Sequence, residues 1–106
     1  MSEDIDPQSL AQSLTAGATP VLLDVREQWE YDIAHLPNAT LVPLKTLQGA
    51  VGGLDSSKAY VVYCHHGGRS AMAAEWLRSQ GFAKVSNLVG GIDQWSVQVD
   101  PGVRRY

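Results

Sequence analysis

The sequence predicts an α/β fold, a parallel sheet covered by helices on both faces. Three observations point there. Short apolar runs rich in β-branched and aromatic residues alternate with amphipathic stretches. Turn residues bound those runs. The runs are apolar throughout, as strands buried on both faces are. The 106 residues amount to one domain, residues 1–106, of the commonest size and large enough to bury a core without staples.

Asp6-Pro7 reads as a helix start, a capping carboxylate followed by proline at the first helical position. Leu10, Ala11 and Leu14 share one face, and Gly17 supplies the stop. Pro20 to Val25 suits a buried strand. Glu27 to His35 reads as a short helix carrying Trp29, Tyr31 and Ile33, closed by Pro37-Asn38. Ala39 to Val42 is a second strand, with Pro43 opening a short helix through Leu47. The Gly- and Ser-rich segment from Gly49 to Ser57 is expected to be a loop. Ala59 to Tyr63 is the strongest strand, and a helix follows from about Ser70 to Gln80, with Ala73, Ala74 and Leu77 on one face and Gly81 at its end. Lys84 to Val89 reads as a strand, Gly90-Gly91 opens a last short helix with Ile92 and Trp95, and the tail from Asp100 to Tyr106 is irregular.

Composition narrows the function. With 44% apolar and 18% charged residues the chain is ordinary and globular. A net charge of −3 argues against a nucleic-acid partner, because phosphate contacts need a surplus of Lys and Arg. Cys64 is the single cysteine, which excludes a disulfide framework and a Cys-rich zinc site. No secretory signal is read in the acidic N-terminal stretch and no apolar run is long enough for a bilayer. A cytoplasmic protein with a reduced thiol and no membrane partner is therefore expected.

The chemistry concentrates after the best strand. In open α/β sheets ligands bind beyond the carboxyl ends of strands, and Cys64 stands there, followed by His65-His66-Gly67-Gly68-Arg69 and a helix. Three features favour a thiolate at such a place. The helix N-terminus carries about half a positive charge. Gly67 and Gly68 let the backbone curl so that amide N–H groups point inward. Arg69 adds a permanent cation, with His65 and His66 as further sources of positive charge. Thiolate is the nucleophilic form. A free cysteine ending an apolar strand is often just a small hydrophobe, but a core cysteine does not need two glycines and an arginine after it.

Other residues read more plainly. Adjacent histidines are expected to point different ways, and no third ligand is near in sequence, so His65 and His66 shape the loop rim and hold no metal. His35 is expected to be a satisfied structural histidine. Trp29, Trp76 and Trp95 read as packing. Asp24 and Arg26 flank a strand end at the presumed active edge, and a structural ion pair is favoured over a direct catalytic role.

With these residues in place, the sequence resembles the single-domain rhodanese (thiosulfate sulfurtransferase) family. The likeness runs through Leu23-Asp24-Val25-Arg26-Glu27 with Trp29-Glu30 following, then Ala34-His35-Leu36-Pro37-Asn38-Ala39. It continues in Val62-Tyr63-Cys64-His65-His66-Gly67-Gly68-Arg69-Ser70 and Gly81-Phe82, and ends in Gly90-Gly91-Ile92 with Trp95. The resemblance implies a sheet of about five strands and Cys64 as a sulfur-carrying nucleophile, with the amides of residues 65 to 69 cradling its persulfide. It also implies a small-molecule sulfur donor such as thiosulfate, a thiophilic acceptor (cyanide or a thiol), a sulfur-relay protein as a further class of partner, and no cofactor. Three rivals stand beside it. Phosphatase or arsenate reductase chemistry uses a Cys-x5-Arg loop, one residue longer than Cys64 to Arg69. A carrier or signalling module would hold sulfur without turnover. A thiol redox sensor, with no resolving cysteine in this chain, would have to pair between molecules.

Overall fold

The first helix forms where its cap predicts. The Asp6 carboxylate accepts from the Ser9 amide at 3.1 Å, and α1 runs Pro7–Thr15. The structure is a computed structural model describing residues 3–106. Met1 and Ser2, the start of the stretch read above for a secretory signal, lie outside the described residues.

Five strands follow in chain order: β1 (Asp4–Ile5), β2 (Val21–Asp24), β3 (Thr40–Leu41), β4 (Ala59–Tyr63) and β5 (Lys84–Leu88). All pair in parallel, in the spatial order β1-β5-β4-β2-β3. Side chains of a strand alternate between faces, and the core divides accordingly. Leu22, Val61, Tyr63 and Leu88 pack with Leu10 of α1 and with Ile92 and Trp95 of α5 (Gly91–Gln98). Leu23, Tyr60, Val62 and Val85 pack on the other face with Ala73, Ala74 and Leu77 of α4 (Gly68–Ser79). The expected α/β architecture, with helices on both faces, is the one found.

Several elements differ from expectation, and the strand expected over Ala39 to Val42 and the helix expected from Pro43 through Leu47 are reduced to Thr40–Leu41 and a 3-10 turn at Leu44–Thr46. β1 is two residues long, with too few side chains to show a period, and it forms because β5 offers a free edge (Asp4 opposite Asn87, Ile5 opposite Leu88). The stretch expected to be loop is partly helical: α3 (Leu47–Ala50) runs into a 3-10 turn at Val51–Gly53. Leu47 is buried, and Val51 and Leu54 pack beside it. That i, i+4, i+7 spacing outweighs the glycines. α2 is confined to Gln28–Ile33. α4 begins at Gly68, ahead of the expected Ser70, because Gly67 takes the left-handed turn (φ +109°) and hands the chain straight into the helix.

The strand order puts the crevice for chemistry between β2 and β4. From β2 the chain moves outward to β3; from β4 it moves outward the other way to β5. Their carboxyl ends therefore flank a switch point, and the residues that follow are Val25-Arg26 and Cys64-His65.

Candidate active site

Cys64 leaves β4 on the α4 face and is buried. Its sulfur is not sealed in hydrocarbon. The Gly67 amide donates to Sγ at 3.1 Å and the Ser70 amide at 3.4 Å, with the Ser70 hydroxyl at 3.3 Å. Ser70 lies outside the cradle expected over residues 65 to 69, and its part was missed because a serine in a first helical turn reads as ordinary capping chemistry. Its hydroxyl also lies 2.5 Å from Asn87 Oδ1.

The loop is shaped from behind by α5. The amides of Ile92 and Asp93 donate to the carbonyls of Cys64 (2.9 Å) and His65 (3.1 Å). Those carbonyls are orphan acceptors of a turn, and the unsatisfied N–H groups of a helix start are their natural partners. Such close approach requires Gly91, where a Cβ would collide with both carbonyl oxygens and where φ is +62°.

Arg69 differs from expectation. Its guanidinium does not stand free beside the sulfur; Nη1 and Nη2 donate to Glu30 Oε1 (2.6 Å) and Oε2 (2.8 Å). Glu30 is 2% exposed. Burial alone would push its carboxyl up, but hydrogen bonds from Arg69, Tyr106 and the Glu27 amide, with the Arg69 charge, bring it down to about 2. Glu30 has no assigned role in the sequence reading. The signal that could have found it is the capping box, in which Glu27 N donates to Glu30 Oε1 at 3.0 Å.

Asp24 and Arg26 form the expected ion pair, and it is fully buried. Arg26 Nε and Nη2 meet Asp24 Oδ1 (2.9 Å) and Oδ2 (2.7 Å) with both side chains at 0% exposure. Tyr63 donates to Asp24 at 2.8 Å, and Arg26 reaches the Ala34 carbonyl at 2.7 Å. Tyr106 closes the set, accepting from Arg26 Nη1 (2.9 Å) and donating to Glu30 Oε2 (2.7 Å). The tail is irregular as expected, yet it is docked. Burial, then its bond to Glu30, pushes the Tyr106 hydroxyl up to about 12.

His65 and His66 do not point apart. Their rings stack at 3.9 Å, and His65 also stacks on Tyr106 at 4.0 Å, which meets Trp29 edge-on at 6.0 Å. The rotamers were unreadable because the stacking partner comes from the tail. Burial first, then the charge of His66, pushes His65 down, toward neutral imidazole. His35 bonds the Tyr31 carbonyl through Nδ1 at 3.1 Å and stacks on the Tyr31 ring. Trp95 is buried, whereas Trp29 is 56% exposed. Among the described residues no group of three or more His, Cys, Asp or Glu is placed to hold a metal, and no helix is long and apolar enough to cross a membrane.

Comparison with known proteins gives a consistent answer. Residues 6–98 match the family model of the rhodanese-like domain. A sulfurtransferase of Allochromatium vinosum is 32% identical over 96 residues, covering 91% of this chain and 90% of that protein. The adenylyltransferase and sulfurtransferase uba4 of Ogataea parapolymorpha is 36% identical over 103 residues, 95% of this chain but 26% of that protein. The chain spans from about a quarter to a half of the length of these longer relatives. The crystal structure of a rhodanese-related protein from Thermoplasma volcanium superposes with a TM-score of 0.85 at 30% identity, covering 99% of this chain and all of that one.

Proposed function

The chain belongs to the rhodanese-like family, and from that membership we propose that it is a sulfurtransferase working through a persulfide on Cys64. The observation that carries the reading is the convergence of the Gly67 and Ser70 donors on Cys64 Sγ at the start of α4. Donors aimed at one sulfur, ahead of a 12-residue helix, stabilise an anion there. A small-molecule donor such as thiosulfate supplies the sulfur. The Cys64 thiolate bonds its outer sulfur, the S–S bond breaks, and its electron pair leaves on sulfite. The negative charge now rests on the terminal sulfur of Cys64–S–S⁻, which the amides of the loop from His65 to Arg69 receive. A thiol or cyanide then takes that sulfur and restores the thiolate, a double displacement that needs no cofactor. Asp24 and Arg26 act behind the loop, as supports. Since uba4 joins an adenylyltransferase to a sulfurtransferase, a protein in a sulfur relay is the further class of partner.

Incubation with thiosulfate followed by intact mass measurement is expected to add one sulfur to the wild type and none to Cys64→Ser, with multiple turnovers when cyanide is supplied. An unchanged wild-type mass, or Cys64→Ser retaining full transfer, overturns the assignment. Uptake of one sulfur without turnover selects a carrier role, a reading that a sulfur carrier relative from Bacillus subtilis also supports.

A further inference from the structure

The arginines placed around the loop are each held by a carboxylate. Arg69 is gripped by both oxygens of Glu30, and Arg26 by Asp24. Arg105 donates to Asp93 Oδ1 at 2.9 Å and Oδ2 at 3.3 Å. His66 Nδ1 lies 3.9 Å from that same Asp93, and His65 is held toward neutrality by burial and by His66. The hollow beside Trp29 adds no cationic field, since Glu27 and Asp32 line it with Lys45. Attraction to an anion scales with the product of charges, and a matched pair offers little of it at a distance. What the loop does carry is aromatic surface: His66, His65, Tyr106 and Trp29 follow one another in ring contact, His65 being the residue next to Cys64, with the Trp29 ring exposed.

We propose that Glu30 is a specificity-determining residue, which by engaging Arg69 withholds positive charge from the donor and sets the site for carbon-bound persulfides over the thiosulfate dianion. The inference rests on the sulfur-transfer reading above and names its substrate class. Glu30 acts through Arg69, as a positioning residue, and at a carboxyl value of about 2 it keeps its charge throughout the working pH range. A carbon-bound persulfide brings at most one negative charge at its sulfur, and its organic part can lie along the aromatic row. The step balances. The Cys64 thiolate bonds the outer sulfur of R–S–SH, and the S–S bond breaks with its electron pair leaving on R–S⁻. That thiolate takes the proton of the outer sulfur, giving Cys64–S–S⁻ and R–SH.

Glu30→Gln tests this, because it exposes one positive charge while Gln retains an oxygen for the Glu27 amide. Loading of Cys64 is followed by intact mass with thiosulfate and with cysteine persulfide. An added unit charge beside the donor acts on a dianion with twice the energy it has on a monoanion, so the thiosulfate KM is expected to fall about ten-fold and the persulfide KM by no more than about three-fold, with kcat little changed for either. The preference then shifts toward thiosulfate by at least about three-fold. A preference that stays within about 1.5-fold of wild type overturns the proposal. Should Glu30→Gln not fold, the wild type answers alone. Paired charges around the loop predict that thiosulfate loading changes by less than about two-fold between low and high salt, since there is little net field to screen. A steep fall with salt overturns the proposal. Loading of neither donor onto the wild type removes the sulfur-transfer reading itself, a result distinct from loading of both with an unmoved preference.

Discussion

Gly91 shows how much of the site depends on single backbone positions. It holds φ at +62°, a region that costs a residue with a Cβ about 1 kcal/mol, and its missing side chain leaves room for the carbonyls of Cys64 and His65. Gly17 has a comparable φ of +96° but nothing within 4 Å of a Cβ. The pair separates strain from collision. Gly17→Ala is expected to lose about 1 kcal/mol in urea denaturation and to load sulfur as the wild type does. Gly91→Ala is expected to lose about 3 kcal/mol, strain plus overpacking, and to slow loading of Cys64 at least ten-fold, because the loop must move off the N-terminus of α5. Equal behaviour of the two variants would show that the approach of α5 does not shape the loop. Position 91 was legible as a strand-to-helix turn. That it is glycine for the sake of residues 64 and 65 was not, since the contact exists only after β5 has added beside β4. The same holds for the site as a whole. Cys64 and its following turn are local and readable, whereas Glu30 meets Arg69 across 39 residues and Tyr106 across 76.

At the scale of elements, local pattern carried the chain a long way. β2, β4, β5, α1, α4 and α5 lie where apolar period and turn residues put them, because each has enough side chains to show its period. β1 has two residues and exists through its partner, and the winding of residues 47 to 54 follows from three apolar anchors set among glycines. What no local pattern shows is how elements are tied. Arg26 follows β2 and binds the Ala34 carbonyl after α2 and Tyr106 in the tail, while its partner Asp24 accepts from Tyr63 of β4. A buried pair contributes less by its net energy than by the cost of breaking it. Arg26→Met is therefore expected to destabilise the fold by about 3–5 kcal/mol, leaving a carboxylate without its cation. Adding Asp24→Asn removes that charge and is expected to recover at least about 1 kcal/mol of the loss in a double-mutant cycle. Additive losses would show that the two side chains support separate elements.

For the whole molecule, the matched charges determine how stability depends on pH. Glu30 falls from 4.5 in the unfolded chain to about 2 in the fold, so the folded state binds fewer protons between those values. Its contribution is complete above about 4.5 and is lost as the pH falls toward 2. At 1.36 kcal/mol per unit the shift amounts to about 3 kcal/mol. His65 is depressed from 6.5 and acts in the same direction, its contribution present above 6.5 and lost as the solution becomes more acid. Tyr106 works on the alkaline side. Raised from 10.0 to about 12, it stabilises below 10 and loses that contribution as the pH rises toward 12. A plot of melting temperature against pH is therefore expected to be flat from about 6.5 to 10, to decline gently on the acid side, and to drop steeply below about 4.5. Glu30→Gln isolates the steep part. At pH 7 it is expected to melt below the wild type by an amount worth about 3 kcal/mol, having left Arg69 without its partner, and the two curves should converge as the wild-type carboxylate takes up its proton. A constant separation down to pH 2.5 would mean that Glu30 supports the fold by packing, and that its pairing with Arg69 adds nothing that protonation can remove.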